Sequence, residues 1–184
     1  MISPPINEGA TIMNNSGTKP SGKYYKTWGA SRVNRLPDYD YAVGRPVHLT
    51  ICAHDKKTVF EHGVEAEALI AELSRSAQDL EYKMLCSCLM PDHLHVIVTS
   101  GASGVALSKF LNIFKGRTTA MFRKRFGISK LWQRSAYDHV IRAGEDLKAT
   151  IRYVLNNPVR KGLAASPEDY PYSRWFEEVT KSYL

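Results

Sequence analysis

The chain has little cysteine. Cys52, Cys86 and Cys88 are an odd set of three in 184 residues. That argues against a disulfide framework and for a reducing, cytoplasmic setting. No apolar run approaches the ~18–20 residues of a membrane span. The first 22 residues are polar and rich in Pro, Gly, Asn and Ser, without the apolar stretch of a secretory signal. No membrane partner is expected. A G-x-x-x-x-G-K-[ST] run is missing, so the P-loop manner of holding a nucleotide is excluded. Acidic residues are short in one half: residues 101–184 hold 15 Lys/Arg against 7 Asp/Glu, while residues 1–100 hold 10 against 11. Solubility needs charge but not this asymmetry. A one-sided basic field is the footprint of a phosphate-backbone binder.

What is present is globular in character, with 43% hydrophobic residues and 10% aromatics. The length predicts one domain over residues 32–184, preceded by a flexible arm over 1–31. Val47 to Ala53 reads as a strand. Val64 to Gln78 turns helical, with Leu69, Leu73 and Ala77 on one stripe. Tyr82–Leu89 and His93–Thr99 are strands joined by a Pro91-Asp92 turn. Ser103 is the expected N-cap of a helix running to Phe126, with Gly127 as its stop. Leu131 to Arg142 reads as an irregular fourth strand. A last helix, Glu145 to Asn157, is expected to end at Pro158, and the remaining tail to pack back on the domain. The order is that of an α+β, ferredoxin-like antiparallel sheet (β-α-β-β-α-β) followed by one more helix.

His93 and His95 are two apart on a strand and share a face, with Cα atoms about 6–7 Å apart. They can converge on one divalent metal, or be two surface histidines. On the last helix, Leu147, Ile151, Val154 and Leu155 form the core arc. Asp146, Thr150, Tyr153 and Asn157 lie on a polar face. A phenol is a weak nucleophile at neutral pH and needs a neighbouring cation or base. An ion held by His93, His95 and the Asn157 amide oxygen would polarise a phosphate and let Tyr153 attack it. Lys109, Lys115, Arg117, Arg123, Lys124, Arg142, Arg160 and Lys161 are candidate DNA contacts, otherwise a solvated face. Gly116, in mid-helix, allows close approach of a ligand or marks a kink. Other arrangements stay open: a Cys86/Cys88 zinc site with the histidines, His139 as an added ligand, Tyr137 as nucleophile, and Trp132 as core residue or stacking platform. A histidine-triad hydrolase would need a third alternating histidine, where the chain has Ile97.

Several blocks together carry a resemblance. They are Met90-Pro91-Asp92-His93-Leu94-His95-Val96-Ile97-Val98, Lys115-Gly116-Arg117, Trp132-Gln133, the Tyr137–Arg142 run, and Tyr153-x-x-x-Asn157-Pro158-Val159-Arg160-Lys161-Gly162-Leu163. With the Leu36–Tyr41 lead-in, the chain resembles the REP-associated tyrosine transposases over roughly residues 32–175. These are relatives of the single-tyrosine HUH transposases of simple insertion sequences. The resemblance implies a ferredoxin-like fold, a Mg²⁺ or Mn²⁺ ion on His93 and His95, and Tyr153 as nucleophile in a 5′-phosphotyrosine intermediate. It implies single-stranded and hairpin DNA from palindromic repeats as partner, met in the nucleoid by a monomer or homodimer. Asp92 stands where relatives often have Asn. A domesticated protein that binds structured DNA without cleaving it is the alternative.

Overall fold

The computed structural model describes residues 44–61 and 63–183. The arm over 1–31 and the basic approach over 32–41 lie outside the described residues. Ten elements position the site: β1 (Val47–Cys52), α1 (Gly63–Asp79), β2 (Lys83–Met90), β3 (His93–Thr99), α2 (Leu107–Phe126), β4 (Tyr137–Val140), α3 (Leu147–Leu155), α4 (Asn157–Arg160), β5 (Ser173–Trp175) and α5 (Glu177–Lys181). Among the described residues the sheet has five strands in the order β4-β1-β3-β2-β5. Every neighbouring pair is antiparallel. The first four give the ferredoxin-like arrangement expected from the element order.

Alternation along the strands sorts side chains between two cores. Val47, Leu49 and Ile51 of β1 and Leu94, Val96 and Val98 of β3 face α1 and α2, where Phe60, Phe110, Phe114 and Phe122 are fully buried. Each such ring contributes about 1.5–3 kcal/mol by leaving water. Leu85, Cys86, Cys88, Met90 and Ile97 face the other way, under Leu147, Ile151 and Val154 of α3. Both faces of the sheet are therefore covered, and His48, Thr50, His93 and His95 fall on the α3 side by the same alternation.

Several boundaries differ from the sequence reading: the strand expected over Leu131–Arg142 is confined to β4, and α3 is shorter at both ends than Glu145–Asn157. Helix α2 starts at Leu107 after Ala106, which gives no side-chain cap. Ser103 instead donates its hydroxyl to the Leu80 carbonyl at 3.0 Å, closing the preceding loop. At the other end Gly127 takes the left-handed cap, φ 71°, as expected of a glycine there. Pro158 does not end the helical course. It sits in the first turn of α4, where a missing N–H costs nothing. The tail does pack back, and part of it is a strand the sequence reading missed: β5 extends the sheet beyond β2, and Tyr170 donates its hydroxyl to the Leu89 carbonyl at 2.8 Å.

Candidate active site

The two-residue turn at Pro91-Asp92 sets Met90 opposite His93 and Cys88 opposite His95. From there β3 carries both imidazoles on one face. Nε2 of His93 and Nε2 of His95 are 3.1 Å apart, with the rings perpendicular. Their other nitrogens are engaged. The Asp92 carboxylate lies 2.5 Å from Nδ1 of His93. Thr50 Oγ1 lies 3.0 Å from Nδ1 of His95. His48 adds a third imidazole, its Nε2 3.2 Å from the same Nδ1. The sequence reading missed both β1 residues, because their place depends on the β1–β3 register that sets Thr50 opposite His95.

Burial decides the charge of this cluster. His95 is held well below the ordinary imidazole range, first by burial and then by the neighbouring His48, His93 and Arg160. His48 is pushed down to about 4 by burial and by His139 across the β1–β4 pair. Both are neutral at pH 7 and able to offer lone pairs. Nδ1 of His93 faces the Asp92 carboxylate, and Nε2 is the atom directed at His95. Two such nitrogens at 3.1 Å are bridged by the ring N–H of one donating to the other, or by a metal ion. Two ligands about 2.1 Å from one ion and about a right angle apart are themselves about 3 Å apart. The donor set and its outer hydrogen bonds thus fit a divalent ion. Among the described residues no group of three or more His, Cys, Asp or Glu side chains is arranged to hold one.

Helix α3 brings Tyr153 to this pair. Asp146 caps the helix, accepting from the Ala149 amide at 3.0 Å. Its apolar arc seats on the sheet, which turns Tyr153 inward to half-burial beside the imidazoles. The ring centroid of Tyr153 is 6.4 Å from that of His95 and 6.3 Å from that of His48. The guanidinium of Arg160 lies 4.2 Å over the Tyr153 ring. Asn157 is buried and its amide nitrogen donates to the Tyr153 and Val154 carbonyls, both at 3.1 Å. Its amide oxygen accepts from Arg160 at 2.7 Å. As folded, the oxygen expected as a third metal ligand accepts from a guanidinium.

The basic residues divide. Lys109, Arg123, Lys124, Arg142 and Lys161 are exposed. Lys115 is turned inward, its ammonium donating to the carbonyls of Gln133, Arg134 and Ser135 at 2.8, 3.2 and 3.3 Å. Arg117 pairs with Asp79 at 2.6 Å and approaches Glu72 at 3.7 Å. Both charges are answered within the protein, unlike the DNA-facing side chains expected.

The open alternatives also resolve into places. Cys88 directs its thiol at the Met90 sulfur, 3.7 Å away, and burial pushes it up to about 11. His139 is bonded to Glu145 at 2.8 Å. Tyr137 is about half exposed, on the edge strand. Trp132 is partly buried against the core: its indole N–H donates to Thr118 at 2.8 Å and its ring meets Phe60 and Phe114.

The antiparallel sheet and its helices match a known protein class. Residues 44–157, more than half of the chain, match the family described as "Transposase IS200 like", and the chain belongs to that family. Curated relatives are described as REP-associated tyrosine transposases in Escherichia coli strain K12 and, provisionally, in Haemophilus influenzae. The first is 24% identical over 104 residues, 56% of this chain and 61% of that protein. The second is 24% identical over 115 residues, 57% of this chain and 65% of that protein. The match thus spans less than two thirds of either relative. A solved structure of a REP-associated tyrosine transposase bound to a REP hairpin superposes with a TM-score of 0.62 at 19% identity. It covers 77% of this chain and 82% of that one. At this identity the likeness is one of fold. Among the described residues no helix is long and apolar enough to cross a membrane.

Proposed function

We propose that this chain cleaves and rejoins single DNA strands next to hairpins, using Tyr153 as a metal-assisted nucleophile. The observation that carries the reading is the meeting of two elements far apart in sequence: Nε2 of His93 and Nε2 of His95 at 3.1 Å, with the Tyr153 ring beside them. The hairpin-bound structural neighbour and the tyrosine transposase relatives support it.

His93 and His95 would hold a Mg²⁺ or Mn²⁺ ion through their Nε2 atoms. Such an ion, when bound, supplies Lewis-acid polarisation of the scissile phosphate and offsets charge in the transition state. Asp92 receives the Nδ1 proton of His93. Thr50 or His48 receives that of His95, which leaves both Nε2 lone pairs available. Arg160 holds the phenol ring by stacking over it, and Asn157 holds Arg160.

Tyr153 Oη attacks phosphorus. The new Oη–P bond forms as the P–O3′ bond breaks, leaving a 5′-phosphotyrosine and a free 3′-hydroxyl that ends with the phenol's proton. A 3′-hydroxyl can reverse the step on the same or another strand. Bond energy is conserved, so no nucleotide is consumed.

The test is incubation with Mn²⁺ and a 5′-tailed hairpin oligonucleotide. The expected result is a denaturant-resistant protein–DNA adduct that is lost in Tyr153→Phe and with chelator. A Tyr153→Phe protein that still nicks would overturn the reading.

A further inference from the structure

The bond between His139 and Glu145 lies outside the chemistry of Tyr153 and the imidazoles. Nε2 of His139 donates to the Glu145 carboxylate at 2.8 Å, with the two side chains 29% and 25% exposed. That burial sets it apart from an open surface pair, which solvent screens. A bond to an ionised acceptor is also directional. His139 stands in register with His48, so it shares the imidazole face of the sheet. Glu145 immediately precedes Asp146, the N-cap of α3.

The chain between β4 and that cap turns through Gly144 at φ 92°, a conformation natural to glycine. Nothing among the described residues lies within 4 Å of where its Cβ would stand. The turn is therefore a permissive joint, and the His139–Glu145 bond closes across it. Beyond the joint, the apolar arc of α3 seats against β2. Apolar contact is non-directional, so such a seat resists lifting better than it resists rolling or swinging. In the sheet order, β4 and β2 stand on either side of β1 and β3, the strands that carry His48, Thr50, His93 and His95. Three strand spacings are about 14 Å. The nine residues of α3 extend about 13–14 Å. The helix thus has one support on each side of the imidazoles, an apolar one over β2 and a polar one from β4.

We infer that His139 and Glu145 are positioning residues for strand transfer: their bond fixes the lie of α3 and so the place of the Tyr153 hydroxyl before the imidazole pair. The inference rests on the reading of Tyr153 as nucleophile. Tyr153 follows Glu145 by about 12 Å of helix, so a small swing at the freed end is carried to the phenol. A reacting group displaced by about 1 Å can lose about 100-fold in rate.

The test measures single-turnover adduct formation by the full chain, with Mn²⁺ and a 5′-tailed hairpin oligonucleotide, well below each variant's melting temperature. His139→Ala and Glu145→Ala should each slow the step by about 10–100-fold. Affinities for the oligonucleotide and for Mn²⁺ should stay within about twofold. The double alanine variant should be no slower than the slower single, because both remove one bond. His139→Gln keeps a donor and Glu145→Gln an acceptor, so both should recover most of the rate. Amide hydrogen exchange along α3 should quicken by roughly tenfold in Glu145→Ala. Alanine variants that are folded and as fast as the parent, a double slower by the product of the singles, a loss falling on affinity instead of rate, or unmoved α3 exchange would each overturn the inference. A parent chain that forms no adduct, or a Tyr153→Phe chain that does, would sink the reading of the centre while the α3 exchange still reports on the bond, so the two failures are distinguishable.

Discussion

Removing the outer hydrogen bonds of His95 should cost metal affinity without unfolding the protein. Nδ1 of His95 has two neighbours on β1, Thr50 Oγ1 at 3.0 Å and His48 Nε2 at 3.2 Å. Either can take its proton, so each single variant leaves one acceptor behind. Thr50→Val keeps the shape and removes the hydroxyl; His48→Phe keeps the ring beside Tyr153 and removes the nitrogen. Outer partners of a metal-bound histidine are typically worth 10–100-fold in affinity. The singles should fall at or below the lower end, about tenfold or 1.4 kcal/mol. The double should approach a hundredfold, about 2.7 kcal/mol. The double also strands a buried N–H at a cost of about 1–3 kcal/mol in stability. The assay is calorimetric titration of metal-free protein with Mn²⁺, with thermal melting to establish that each variant is folded. A folded double variant that binds Mn²⁺ within twofold of the parent would refute the reasoning, and with it the assignment of Nε2 of His95 as a ligand.

Two stability effects should appear away from the imidazoles. Lys115→Met removes an ammonium shared by three carbonyls and should destabilise the chain by about 2 kcal/mol in urea denaturation; an unchanged midpoint would count against its tethering role. At Gly101 a Cβ would fall 1.9 Å from the Glu81 carbonyl oxygen, so Gly101→Ala should cost about 1–3 kcal/mol and lower the melting temperature, whereas an unaltered melt would mean the loop yields freely.

The parts of this molecule that repeat with a local period were readable from the chain alone. Alternation put His93 and His95 on one face, and the 3.6-residue period put Tyr153 off the apolar arc of α3. Gly127 stopped α2 as its left-handed backbone allows. The unread parts depend on partners distant in sequence. His48 is an unremarkable strand residue until the β1–β3 register sets it beside His95, 47 positions away. Lys115 and Arg117 look alike as charges on a helix, yet one meets backbone carbonyls and the other Asp79. Ser103 is a good cap by type, but the Leu80 carbonyl captures it first. Asn157 shows the same limit: four residues from Tyr153 it could serve an ion or a neighbour, and Arg160 takes its oxygen. The three-residue strand β5 was too brief to carry an alternating pattern.

The outermost strands of the sheet are short, four residues in β4 and three in β5. Either rim offers a visiting chain only a few unsatisfied amides and carbonyls, too few to template growth from molecule to molecule. Copies at high local concentration can therefore sit side by side without fusing into fibres through these strands.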